Sequence, residues 1–158
     1  NHGDFEILGQ TRDDAAGEVF DKVARAMGLG YPGGPEIEKL ARKGDAQRIK
    51  FPRAWLEEGS YDFSFSGLKS AVLNYLHNAK QRKEEVSFED TAAAFQEAVV
   101  DVLVEKTIRA ASEKEVDTIL LVGGVAANQR LREEMASSAD KKGLKLIVPP
   151  PILCTMRQ

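Results

Sequence analysis

The feature that most constrains this chain is a short apolar run that ends in a pair of glycines. Residues 118–122 read Thr-Ile-Leu-Leu-Val, which is typical of a buried strand, and Gly123 and Gly124 follow directly. The residues from Asn128 onward predict a helix. A strand that passes through Gly-Gly into a helix can bind a phosphate, because glycine lets the backbone approach an anion and the helix N-terminus offers free N–H groups. Asn128 would then reach a ribose or a base.

The glycine pair alone leaves two interpretations open, a phosphate site and a tight strand-to-helix turn without a ligand. The Gly-Lys-Ser/Thr ending of a Walker A loop does not follow the pair, and the spacing is not G-x-G-x-x-G. The rest of the chain has to decide between the two.

The second half of the chain has an α/β pattern. A long helix is predicted at residues 88–114, with Lys106 on its buried side by its aliphatic stem. The strand at 118–122, a helix at 128–142 and an apolar run at 144–148 follow it. A strand, a helix and a second strand in one sheet predict a parallel pair.

The first half is predicted to be mostly helical. Helices are predicted at residues 15–27, 36–43 and 68–79, and short strand segments at residues 5–8 and 62–66. Asp13 or Asp14 is expected to cap the first helix, because a carboxylate there accepts hydrogen bonds from free N–H groups.

Composition excludes few functions but limits the setting. The 158 residues are 42% hydrophobic and 30% charged, with a net charge of −3, which is ordinary for a soluble domain. One cysteine excludes an intramolecular disulfide and favours a reducing compartment such as the cytoplasm. No membrane-spanning run or signal peptide is visible, so no membrane association is expected. The chain begins at Asn1 without Met and ends after a proline triplet, which suggests a piece of a larger protein.

Two acidic residues are candidates for ligand contacts. Asp21 lies next to the buried face of the first helix, where an acid often has a specific partner such as a ribose hydroxyl. Glu38 lies one helical turn after a Gly-Gly-Pro segment that contains Gly34, where the backbone can lie against a ligand; a plain helix–helix turn is the alternative. Asp13, Asp14 and Glu18 are interpreted as capping and solvated residues.

Other common chemistries are not encoded by spacing. His2, His77 and Cys154 have no spacing typical of a zinc site, and Cys154 has no general base nearby in sequence. Neither a nucleophile elbow nor a candidate triad is present.

Five motifs, taken in order, resemble the tRNA threonylcarbamoyladenosine transferase family, formerly described as O-sialoglycoprotein endopeptidases. They occupy residues 11–22, 29–35, 63–69, 123–128 and 149–155. The similarity covers essentially the whole chain, and five motifs in one order are far more specific than any one of them.

The resemblance implies a partial actin-like ATPase (ribonuclease H-like) fold. Residues 1–85 would form the helical portion of a nucleotide cleft, and residues 86–158 an α/β portion with the Gly-Gly turn. It also implies a cytoplasmic tRNA-modifying acyltransferase, which transfers threonylcarbamoyl from threonylcarbamoyl-AMP to the tRNA adenosine 3′ of the anticodon. The partners implied are tRNA and, in bacteria, an inactive paralogue and a small ATPase.

The resemblance assigns substrate-binding roles by position. Asp21 matches a ribose-binding Asp, Gly34 a Gly whose backbone meets the nucleotide, and Asn128 the Asn after the Gly-Gly turn. Glu38 stands where the family often has an Asp. Gly123 and Gly124 would lie along the phosphate.

The resemblance also implies one iron or zinc ion, which the family holds through two histidines upstream of Asn1 and an aspartate expected directly after Thr155. Met156 follows Thr155 here, and His2 does not match a metal histidine. The chain is therefore expected to supply no metal ligand and, as a fragment, to be inactive alone.

Three other functions compete with the transferase. A sugar- or acetate-kinase-like phosphotransferase of the same superfamily would also use a Gly-Gly turn, but the motifs at 11–22 and 63–69 argue against it. A non-catalytic partner subunit is disfavoured because Asp21 and Asn128 are retained. A protease is disfavoured because no nucleophile set or H-E-x-x-H motif is present.

Overall fold

Residues 5–150, which the computed structural model describes, form a mixed α/β structure with five α-helices and a small parallel sheet. The helices are α1 (Ala16–Ala26), α2 (Gly33–Ala41), α3 (Ser66–Gln81), α4 (Phe88–Glu113) and α5 (Gln129–Lys141). The strands are β1 (Thr118–Leu120) and β2 (Lys145–Ile147), and a 3₁₀ turn, Gly124–Ala127, lies between β1 and α5. The α/β class is therefore confirmed, whereas the division at residue 85 stays a prediction.

Helix α4 is the centre of the structure. Ser87 caps it by accepting a hydrogen bond from the Asp90 N–H at 3.1 Å. Its first half, around the fully buried Phe95, belongs to a core shared with α1, α2 and α3, and its second half packs with Leu131 and Met135 of α5. Because α4 is covered on several sides, its buried residues extend beyond one stripe. Lys106 is buried as predicted, and its Nζ donates to the Asp62 carbonyl oxygen.

The sheet confirms the predicted parallel pair. Thr118, Ile119 and Leu120 stand opposite Lys145, Leu146 and Ile147, and α5 is the crossover between the strands. Both strands are shorter than predicted, because only three residues of each are paired.

Several predicted elements of the first half are wrong in detail. Residues 5–8 form no strand, and residues 62–66 contribute only one parallel bridge, between Thr11 and Phe63. Alternating apolar residues there reflect loop side chains that face the core, since Phe65 is 2% exposed. Helix α3 begins at Ser66 and α2 at Gly33, two and three residues before their predicted starts.

The predicted carboxylate cap of α1 is also wrong. Ala15 is the N-cap residue, and its N–H donates to the Glu18 carboxylate at 3.2 Å. Asp13 instead accepts hydrogen bonds from the Ser64 hydroxyl and the Phe65 N–H, at 2.6 and 2.7 Å. Burial acts to raise the pKa of Asp13, but the hydrogen bonds to its carboxylate, with those from Ser64 and Phe65 the largest, together hold the pKa below its ordinary value. Asp13 therefore anchors the loop before α3.

Asp14 likewise has a structural partner. Both of its oxygens accept from Lys22 Nζ at 2.9 Å. The hydrogen bond from Lys22 holds the pKa of Asp14 below its ordinary value.

Within residues 5–150, no helix is both long and apolar enough to cross a membrane.

Candidate functional site

One cavity lies where α1, the start of α2 and the 3₁₀ turn meet. Its volume is about 210 Å³. Helix α1 and the segment around α2 together form its first wall, and the 3₁₀ turn with the residue after it forms the second. The lining residues are Gly17, Phe20, Asp21, Pro32, Gly34, Pro35, Glu38, Gly124, Val125, Ala127 and Asn128.

The cavity brings together five of the six residues that the sequence marked for substrate binding. Asp21, Gly34, Glu38, Gly124 and Asn128 all line it, although Asp21 and Asn128 are more than a hundred positions apart in the chain. Gly123 is not part of the lining. Independent stretches of sequence therefore converge on one site.

The first wall depends on a close contact between α1 and α2. The Asp21 carboxylate accepts a hydrogen bond from the Gly33 N–H at 2.7 Å through Oδ1. A Cβ at Gly33 would lie 2.6 Å from the Ala24 Cβ and 2.8 Å from the Phe20 carbonyl oxygen, so only glycine fits there. Within the described residues, Asp21 Oδ2 accepts no hydrogen bond and the Gly34 N–H donates none, which leaves both groups for a ligand.

The second wall is the 3₁₀ turn. Gly123 precedes it with φ 99° and ψ 178°, a conformation that is essentially restricted to glycine. A Cβ at Gly124 would meet nothing within 4 Å. In residues 5–150 the N–H groups of Gly124 and Val125 donate to no protein acceptor, so two backbone donors at this wall are free for an anion.

The expectation that the strand passes directly into a helix with a free N-terminus is wrong. The 3₁₀ turn separates Gly124 from α5, and side chains already occupy the helix end. Asn128 Oδ1 accepts from the Leu131 N–H at 2.8 Å, and Glu38 Oε2 accepts from the Gln129 N–H at 3.1 Å. Asn128 and Glu38 therefore already pair two of the N–H groups at the start of α5, and the free donors that follow the strand are those of Gly124 and Val125 in the turn.

The sequence model of the TsaD family, described as tRNA N6-adenosine threonylcarbamoyltransferase, matches residues 1–158. The chain belongs to this family. It is 61% identical over 155 residues to the tRNA N6-adenosine threonylcarbamoyltransferase of Bacillus subtilis, which covers 98% of this chain and 44% of that protein. It is 57% identical to the Clostridium botulinum protein of the same name, covering 98% and 46%. The chain thus spans less than half the length of these relatives.

A solved structure supports the fold. The chain aligns with the crystal structure of T. kodakarensis HypF with a TM-score of 0.61 and 22% identity, over 85% of this chain and 17% of that one. At this identity the likeness concerns the backbone arrangement. It agrees with the α/β class of this chain.

Residues 5–150 do not provide a ligand set for the iron or zinc ion that the family resemblance implies. No three His, Cys, Asp or Glu side chains in residues 5–150 are close enough to hold a metal ion. The positions that bear on the predicted metal set, His2, Cys154, Thr155 and Met156, lie outside the described residues.

Sequence reasoning missed one residue of the site, Gln96. Its Oε1 accepts a hydrogen bond from Asn128 Nδ2 at 2.8 Å, and both side chains are buried. The available signal was a lone amide in an otherwise apolar segment of α4, Ala92-Ala93-Ala94-Phe95-Gln96. Such a residue needs a partner, since a buried polar group without a hydrogen bond is costly.

Proposed function

We propose that the full-length protein containing this chain is a cytoplasmic tRNA N6-adenosine threonylcarbamoyltransferase. It would transfer threonylcarbamoyl from threonylcarbamoyl-AMP to the adenosine 3′ of the anticodon. The observation that carries the proposal is the match to this family along residues 1–158, together with 57–61% identity to relatives that bear this name.

The cavity between α1, α2 and the 3₁₀ turn is proposed as the adenylate site. Three residues that line the cavity, Gly34, Gly124 and Val125, have backbone N–H groups without a protein acceptor in residues 5–150. They would donate to phosphate oxygens, as backbone groups do in anion-binding turns. Asp21 Oδ2 would accept from ribose hydroxyls, and apolar residues such as Phe20 and Val125 would lie against the base.

The reaction proposed is acyl transfer from an anhydride. The N6 nitrogen of the tRNA adenosine forms a bond to the carbamoyl carbon, and the bond from that carbon to the phosphate oxygen breaks. AMP leaves with the electron pair of that bond, and N6 gives up one proton to solvent water. Backbone donors that hold the phosphate stabilise the negative charge that AMP gains on departure.

The finer features of the family remain part of this proposal. They are the actin-like two-lobe fold, one iron or zinc ion, and the partners, namely tRNA, an inactive paralogue and a small ATPase. That residues 1–158 alone do not complete the transfer also stays a prediction.

The test is a transfer assay with radiolabelled threonylcarbamoyl-AMP, an unmodified tRNA transcript and the partner subunits. The full-length protein is expected to label the tRNA, and Asp21→Ala to reduce labelling strongly. Substitution of the target adenosine by guanosine is the control and removes the acceptor amine.

If the tRNA stays unlabelled and the protein phosphorylates a small molecule instead, the kinase-like alternative is correct and the transferase proposal is wrong. Labelling by the partner subunits without this protein would favour a non-catalytic role. The same assay on residues 1–158 tests whether this part alone is inactive.

A further inference from the structure

A buried pair of amides connects the long helix to the wall of the cavity. Gln96 lies in the first half of α4 and is 7% exposed, and Asn128, between the 3₁₀ turn and α5, is 6% exposed. We infer that Gln96 is a positioning residue for ligand binding, because it holds the Asn128 amide in the orientation that presents one N–H to the cavity. This inference rests on the proposed adenylate site.

The hydrogen bonds determine how the Asn128 amide is turned. Its Oδ1 accepts from the Leu131 N–H at 2.8 Å, so the oxygen is directed toward α5. Its Nδ2 donates to Gln96 Oε1, also at 2.8 Å. A carboxamide nitrogen carries two hydrogens, and only one is used in this bond. Within the described residues the second hydrogen has no acceptor, and Asn128 lines the cavity, so this N–H is available to a ligand.

Without the Gln96 acceptor, both hydrogens of Nδ2 would be unpaired in a nearly dry environment. An unpaired buried donor costs free energy, and the side chain would relieve that cost by rotating or by admitting water. Either change moves the N–H that faces the ligand. Gln96 lies on α4, away from the segment that holds Asn128, and does not line the cavity, so its effect on a ligand there would pass through Asn128.

Glu38 also binds the segment next to Asn128, but it does not orient the Asn128 side chain. Glu38 Oε2 accepts from the Gln129 N–H at 3.1 Å and from Arg42 at 2.8 Å. These bonds hold the backbone after Asn128, but they do not touch its side-chain amide. Gln96 is the partner that sets the direction of Nδ2.

A double-mutant cycle on the full-length protein tests the inference, with AMP as the probe and calorimetry as the measurement. Gln96→Met keeps the shape of the side chain and removes the acceptor. We expect Gln96→Met and Asn128→Ala each to weaken AMP binding by roughly tenfold, the scale of one buried hydrogen bond. If Gln96 acts through Asn128, the double variant is also about tenfold weaker than wild type and not about a hundredfold.

Two comparison variants separate positioning from general damage to the fold. Gln96→Glu keeps an acceptor for Asn128 Nδ2 and is expected to retain more affinity than Gln96→Met. Ile108→Val removes one buried methyl group from the distal part of α4 and is expected to leave AMP affinity unchanged. If Gln96→Met does not fold, Gln96→Asn, whose amide is one methylene too short to reach, replaces it in the cycle.

Unchanged AMP affinity in the folded Gln96 variant would overturn the inference, and so would a double variant weaker by the product of the single effects. Those results leave the proposed function intact as long as the wild type binds AMP and transfers the threonylcarbamoyl group. A wild type that does not bind AMP would refute both the adenylate site and the positioning role.

Discussion

Two glycine pairs border the same cavity, Gly33-Gly34 at the start of α2 and Gly123-Gly124 at the start of the 3₁₀ turn. In each pair the first glycine is required by the fold and the second faces open space. Gly33 is needed because α1 lies too close for a Cβ, and Gly123 because its φ is 99°. A Cβ at Gly34 or Gly124 would meet nothing within 4 Å.

The comparison separates two reasons for a glycine that look identical in sequence. The first glycine of each pair is a matter of stability, and the second is a matter of what occupies the cavity. Substitution by alanine should therefore divide the four positions into two that lose stability and two that lose ligand affinity while keeping their stability. The following predictions, from the largest effect to the smallest, test that division in the full-length protein.

Gly33→Ala is expected to have the largest effect. Its new methyl group would overlap the Ala24 Cβ and the Phe20 carbonyl, so α1 and α2 must move apart. Overpacking of this kind costs about 2–3 kcal/mol of unfolding free energy. Urea denaturation followed by circular dichroism measures the loss. A wild-type midpoint would contradict the close contact between the two helices.

Gly123→Ala is expected to cost about 1–2 kcal/mol, because alanine is strained at this φ and ψ. Thermal denaturation with the same probe measures it. Gly143→Ala is the matched control, since Gly143 has φ 69° but lies at the end of α5, outside the cavity lining. Both variants should lose stability, and only Gly123→Ala should also weaken AMP binding, because it displaces the turn.

Gly34→Ala is expected to leave stability within about 0.5 kcal/mol of wild type, since the methyl group meets no protein atom. It should weaken AMP binding by roughly tenfold, or about 1.4 kcal/mol, because the methyl group occupies space beside a free N–H. Calorimetric titration gives the affinity. Gly67→Ala is the matched control: Gly67 is also the second residue of a helix and a Cβ there would meet nothing within 4 Å, but Gly67 does not line the cavity.

Gly124→Ala is expected to show the smallest effect, a decrease in AMP affinity of about fivefold, or roughly 1 kcal/mol, with no change in melting temperature. The effect is smaller than at Gly34 because a short 3₁₀ turn can shift outward, whereas Gly34 belongs to α2. Competition titration against a fluorescent AMP analogue is sensitive enough. If Gly124→Ala also lowers the melting temperature, Gly124 is required by the fold as Gly123 is, and the proposed difference between the two glycines is wrong.

The sequence predicted the helices and the parallel strands of the second half well, because apolar periodicity is a local property. It predicted the first half less well. Residues 62–66 alternate as a strand does, yet only Phe63 is paired. Its partner is Thr11 in the adjacent segment of the same chain, and the two form a single bridge. Asp13 and Asp14 suit a helix cap by local rules, but Ser64 and Lys22 bind them more favourably in the folded chain.

By itself the sequence determined the family, the α/β class and five residues that line the cavity, because motifs and periodicity are carried by neighbouring positions. The tertiary structure decided which glycine of each pair faces the cavity and which groups remain free there. The bonds that settle this join Gly33 to Asp21, Asn128 to Gln96 and Gln129 to Glu38, across 12, 32 and 91 positions. Contacts at such separations depend on how helices pack, which no local pattern specifies.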